Sequence, residues 1–312
     1  MQALGTEATT WLAVGHGIAG LAALILAPWK TRVSTRGVAR RNRGRSFSLA
    51  FAVVAIGVLL TGILHMTGLV ITLGPVTTLW LHIALSLTLI PYLAWHVTVR
   101  RTLPRRTDLS RRNLLRLSGL AAAGVALWWG GEGVTRAAAL AGARRRFTGS
   151  HETSSFVPAG VPVTSWLNDR VPVVDGETWR VTIQDANGLR SLSLFDLADL
   201  SNEEIIADLD CTSGWWSRQA WTGVRLDRLL QTGEAGSVLV RSVTGYDRRF
   251  PVRDLDRIWL ATTVGDQPML AGHGYPARLV IPGRRGFWWV KWVAAIETSD
   301  LPWWVQPPYP LS

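Results

Sequence analysis

Cysteine is almost absent from this 312-residue chain: Cys211 is the only one, so no disulfide can form within it. Acidic residues are scarce too, 22 against 33 lysines and arginines, which leaves a formal net charge of +11. The shortage is local. Residues 30–45 hold seven basic side chains and no acid, residues 100–116 hold seven arginines against Asp108 alone, and the remainder is close to neutral. Basic charge confined to two short stretches beside long apolar runs is a topology signal, and it argues against a nucleic-acid partner.

Charge of either sign is missing from 11–29, 47–73 and 78–98. Each run exceeds the ~18 uncharged residues that mark a spanning helix. A fourth apolar run, 117–130, predicts a helix over about 114–134. Basic loops stay in the cytoplasm, so 30–45 and 100–116 are expected inside. The N-terminus, the turn at 74–77 and everything after the fourth helix are then expected outside, in a multi-pass protein of the cell membrane. Ser110-Arg111-Arg112-Asn113-Leu114-Leu115-Arg116 resembles a twin-arginine export signal. Positive-inside charge alone accounts for the same residues. The segment is read as an uncleaved anchor, with 137–143 as the alternative, a cleavage region.

Four of the six histidines, His16, His65, His82 and His96, fall in the apolar runs. An ionisable residue at membrane depth is a functional candidate by default, and imidazole is a common axial ligand of haem iron. A rise of about 1.5 Å per residue puts His16, His65 and His82 in the outer half and His96 near the inner face. One haem b held by two of the outer three is expected, His65 and His82 first, then His16, with His96 the least favoured. Gly15, Gly17, Gly62 and Gly68 would let a flat macrocycle approach the backbone; helix packing explains such glycines equally well.

Residues 135–160 read as a linker and 161–312 as a second domain. Strand-like runs at 179–185, 237–243, 277–283 and 288–297 are bounded by turn residues, and 194–200 and 223–231 read as helices. The fold expected is an N-terminal four-helix transmembrane bundle (1–134) followed by a β-rich α+β domain. From residue type alone Cys211 admits three roles: an inert core thiol, a nucleophile paired with His273, or a metal ligand.

The order of motifs in this domain resembles the sulfite oxidase family of molybdopterin oxidoreductases. DLDCTSGWWSRQAWTGVRLDRLL (208–230) is similar to that family's cysteine segment, and GHGYPARLVIPGRRGFWWVKWVAAIE (272–297) to its His-Gly segment. SVTGYDRRFPVRDLD (242–256) and TSWLNDRVPVVDGETWRVTI (164–183) match the stretches between and before them. The resemblance implies a Mo-molybdopterin cofactor with Cys211 as the molybdenum ligand. It implies pterin contacts from Asn168, Arg170, Thr212, His273, Arg278, Gly286 and Lys291. Tyr246 and Arg218 are candidates for the substrate pocket, with core packing the alternative for Tyr246. Joined to a b-type helical bundle, the domain resembles periplasmic methionine sulfoxide reductase with its haem-carrying membrane partner. Electrons are then expected to pass between quinone, or a redox partner protein, and a small-molecule substrate. Reduction of an S- or N-oxide is favoured over sulfite oxidation. The alternatives are a haem-free anchored molybdenum enzyme and a metal-free extracytoplasmic sensor or binding module.

Overall fold

A computed structural model describes residues 7–40, 45–74, 76–99, 108, 110–165, 169–201 and 203–308. Asn168, and residues 41–44 and 100–107 of the two basic stretches, lie outside the described residues. The chain divides into two compact units, one ending at His151 and the other beginning at Glu152, within a two-residue strand.

The first unit is built from α1 (Glu7–Arg40), α2 (Arg45–Thr67), α3 (Thr78–Val99) and α4 (Arg111–Ala137). All four are long and apolar enough to cross a membrane, by length and composition. Threonine hydroxyls in these helices turn back onto their own backbone: Thr61 donates to the Gly57 carbonyl at 2.7 Å and Thr135 to that of Gly131 at 2.7 Å. That removes a polar group from apolar surroundings at little cost. Glycines bring helices close. A Cβ at Gly17 would fall 2.0 Å from the Trp128 ring, and one at Gly124 would fall 3.0 Å from the Ile18 carbonyl, so α1 and α4 pack on small residues.

α2 ends six residues before the expected 73. Gly68 takes the left-handed conformation (φ 66°) and its N–H bonds the Leu64 carbonyl at 3.0 Å, closing the helix. The following residues turn back as a hairpin of β1 (Thr72–Leu73) and β2 (Val76–Thr77). The expected linker differs as well: 135–151 belong to the helical unit. Helix α4 runs on to Ala137, a 3-10 turn follows at Ala141–Arg144, and Arg145 donates to the Met66 carbonyl. Arg145 also pairs with the buried Glu132 at 2.7 Å.

Past the short strand β3 (His151–Glu152), the second unit builds two sheets around one core. One is antiparallel, made of β6 (Glu203–Asp210), β7 (Trp215–Arg225), β10 (Trp259–Val264), β11 (Gln267–Pro268) and β12 (Arg278–Val280). The other runs β5 (Gly188–Ser193), β4 (Arg180–Asp185), β13 (Val293–Ser299), β8 (Ser237–Ser242) and β9 (Asp247–Pro251), with only β13 and β4 parallel. Val181, Ile183, Val238, Val240 and Ile296 from this sheet bury against Val224, Leu260 and Leu279 of the other. A capping box between Ser193 and Asp196 starts α5 (Leu194–Leu200), as expected. The helix expected at 223–231 shrinks to α6 (Leu226–Leu229), because Gly223–Arg225 stay paired with Trp259–Ala261.

Candidate active site

Cys211 sits in the hairpin turn that joins β6 to β7. Its N–H bonds the Trp215 carbonyl at 2.8 Å and Gly214 adopts φ 99°, so the turn is Cys-Thr-Ser-Gly and Trp215 already begins β7. Arg285 holds the turn from the far side of the chain, donating to the Cys211 carbonyl at 3.2 Å and lying 3.5 Å from the fully buried Asp210. Gly286 permits that approach: a Cβ there would sit 3.3 Å from the Cys211 Cα.

The turn opens on a pocket that Cys211 and Thr212 line together with Tyr246, His273, Arg278, Gly286 and Lys291. His273 closes a 3-10 turn (Ala271–His273) and Arg278 begins β12. The four-residue loop between them is tied by the Arg278 guanidinium, which donates to the His273 carbonyl at 2.8 Å. The His273 Nε2 faces the Val161 carbonyl at 2.9 Å, which can only accept, so Nε2 carries the proton. Burial, followed by the Arg278 and Lys291 charges, holds the His273 pKa below its ordinary value and keeps the ring neutral.

Arg278 is buried to 2% exposure, between the faces of Trp221 (5.1 Å) and Trp289 (5.5 Å). It has no carboxylate in ion-pair range among the described residues, and its Nε is buried with no hydrogen-bond partner there. Desolvation lowers its pKa to about 9. Lys291 donates to the carbonyls of Thr164 (2.9 Å) and Gly272 (2.6 Å). The Tyr246 hydroxyl donates to the Phe287 carbonyl, and burial raises its pKa.

Two expected site residues lie elsewhere. Arg218 is on the outward face of β7, opposite Asp208 in the β6 register, and holds that carboxylate through two bonds of 2.7 and 3.0 Å. Strand alternation decides this: Ser217 and Gln219 point inward and are buried, which turns Arg218 to solvent. Arg170 is exposed, and its neighbour Asp169 is the residue that reaches the pocket. The pocket also contains Thr164, Trp215 and Ser242, and the Cys211 turn contains Ser213; none of these carries a motif of its own. Arg285 differed from a surface arginine only by standing within the His-Gly segment.

The helical unit has a separate cavity of about 550 Å³, bordered by His16, His65 and His82 and by Arg136, Arg145 and Arg146. The rings of His16 and His82 stand 6.1 Å apart at 73°. The His82 Nδ1 contacts the Val58 carbonyl at 3.0 Å and so carries the proton. His65 meets His151 edge-on at 4.9 Å, a partner that the hydropathy pattern does not single out because His151 lies outside the apolar runs. His96 is not in this lining; it stacks on Phe51 at 5.0 Å. Gly17 and Gly62 are occupied by Trp128 and His82, so close packing accounts for both.

Residues 168–304 match the family described as the oxidoreductase molybdopterin binding domain. Human mitochondrial sulfite oxidase is 29% identical over 166 residues, covering 41% of this chain and 30% of that protein. The rat enzyme is 29% identical over 167 residues, covering 42% of this chain and 31% of its own length. The chain therefore spans about a third or less of the curated relatives it matches. Among solved structures, the sulfane dehydrogenase SoxCD of Paracoccus pantotrophus is similar at 23% identity and a TM-score of 0.40, over 42% of this chain and 40% of that one. Over residues 168–304 the second unit is thus similar to molybdopterin-binding oxidoreductase domains, sulfite oxidase among them.

Proposed function

We propose that this chain is an enzyme anchored in a membrane by its four apolar helices, facing outward, that exchanges an oxygen atom with a small substrate while two electrons pass in the opposite sense. The observation that carries the reading is Arg278: a buried cation with no ion-pair partner among the described residues, lining the same pocket as the chain's only thiol. An unpaired buried charge is costly to a folded protein unless a ligand of opposite charge completes it. A pyranopterin phosphate supplies that charge, and a guanidinium grips it bidentately. Cys211 would hold molybdenum as a soft thiolate, Thr212 and Gly286 would border the pterin with His273, and Lys291 would add a second cation.

When bound, the molybdenum supplies the two-electron, oxygen-accepting centre. The chain's own residues bind it, orient it and exclude water. Trp215, Tyr246, Phe287, Trp289 and Trp292 give the pocket a largely aromatic lining, and Arg218 points away from it. With Arg278 and Lys291 taken up by the cofactor, the rest of the lining is largely aromatic, and reduction of a neutral S- or N-oxide is favoured over oxidation of a sulfite dianion. Metal analysis of the purified chain from a molybdenum-replete host tests the reading. About one molybdenum per chain, lost in Cys211→Ala, supports it; metal-free wild-type protein overturns it.

The helical unit is read as the electron route from a quinol through one haem b. Two imidazole nitrogens each about 2 Å from one metal put the ring centres roughly 6 Å apart. His16 and His82 have that separation, which favours them over the expected pair of His65 and His82. The Val58 carbonyl on the His82 Nδ1 is the outer contact that orients a ligating imidazole. Arg136, Arg145 and Arg146 border the cavity, where propionates need cations. Reduced-minus-oxidised spectra of detergent-solubilised protein test this, and absence of b-type bands removes it.

A further inference from the structure

Three side chains lead to the Cys211 sulfur, Ser213 and Trp215 from its own segment and Thr164 from a stretch far away in the sequence. The Trp215 indole Nε1 lies 3.2 Å from the Thr164 Oγ1, the Thr164 Oγ1 lies 3.3 Å from the Ser213 Oγ, and the Ser213 Oγ lies 3.1 Å from the Cys211 Sγ. The Thr164 end is fixed twice, because Lys291 donates to its backbone carbonyl at 2.9 Å.

Hydroxyls can point either way, so the ends of the chain determine its direction. An indole N–H only donates, and a metal-bound thiolate only accepts. Thr164 must therefore accept from Trp215 and pass its own proton toward Ser213. Ser213 in turn must donate its hydrogen bond to the sulfur. Each donor in such a chain polarises the next.

We infer that Ser213 donates a hydrogen bond to the metal-bound Cys211 thiolate, and that Thr164 and Trp215 hold it in that orientation. This rests on the molybdenum reading of the pocket and assigns Ser213 as a positioning residue. A hydrogen bond withdraws electron density from a coordinating sulfur, which raises the reduction potential of the metal it binds. Outer contacts of this kind tune a metal centre without touching the metal.

The test uses the full-length chain with its cofactor, and reads molybdenum content, the molybdenum midpoint potential and the energy of the sulfur-to-molybdenum absorption. Ser213→Ala is expected to lower the potential and shift the absorption to lower energy. Ser213→Thr, which keeps the hydroxyl, is expected to restore both. Thr164→Val should shift them in the same direction by less, and Trp215→Phe by less again. The inference is overturned if loaded Ser213→Ala matches wild type in both readouts. Should Ser213→Ala not load, Thr164→Val decides: a shift supports the inference and unchanged values overturn it. Wild-type protein without molybdenum is a different failure, that of the metal reading itself.

Discussion

Arg278 and Lys291 line one pocket as two cations, and the charge of the first holds down the proton affinity of the second. Desolvation of the amine has the larger effect; together the two bring the Lys291 pKa from 10.5 to about 7. Between those values the unfolded chain holds a proton that the folded pocket has released. Stability without cofactor is therefore lowest below pH about 7 and rises as pH climbs toward 10.5. Thermal denaturation of chain produced without molybdenum cofactor should show that rise, and Lys291→Met should flatten it. Lys30 and Lys291 are the only lysines in an arginine-rich chain.

Arg278→Met should separate stability from function. The change removes a buried cation that the Trp221 and Trp289 faces only partly compensate. The cofactor-free chain is expected to gain on the order of 1–4 kcal/mol, read by denaturation. Molybdenum content should fall to background in the same protein.

Arg218→Ala distinguishes the observed site from the expected one. Its pair with Asp208 is half-exposed, at 49% and 22% for the two side chains. Such pairs contribute about 0.2–1 kcal/mol. Molybdenum content and turnover should match wild type, and a many-fold loss of activity would return Arg218 to the substrate pocket.

Gly223→Ala should weaken the sheet that carries Cys211. A Cβ at 223 would lie 2.4 Å from the Leu260 carbonyl oxygen and 2.7 Å from the Ala261 Cα, both backbone atoms of the neighbouring strand. Neither can yield as a side chain does, so a loss of about 1–3 kcal/mol is expected, measured as a lowered melting temperature.

Histidine substitutions sort the haem ligands. His16→Ala and His82→Ala should each abolish the b-type spectrum. His96→Ala should leave it unchanged, since that ring stacks on Phe51 and is not in the cavity lining. Loss of the spectrum in His65→Ala but not in His16→Ala would reassign the pair.

Much of this was legible in residue order. Uncharged runs of about 20 residues predict helices because a backbone away from water must bond to itself. Cys211, His273, Arg278 and Lys291 were marked out by the resemblance of their segments to the sulfite oxidase family, and the structure brings all four to one pocket. The long hairpin of β6 and β7 was not read as strands, since its tryptophans and charges mask the alternation.

The sequence by itself determined the inventory: one thiol, four histidines in apolar runs, two basic stretches, and a helical unit ahead of a strand-rich one. Only the tertiary structure decided which way Arg218 faces, that Arg285 clamps the Cys211 turn, and that Trp215, Thr164 and Ser213 lead to one sulfur. It also decided that His16 lies against His82. The reason is physical. Composition and local spacing act within a turn or a strand, whereas facing and pairing depend on register between segments far apart in the chain, and a shift of one residue reverses every side chain.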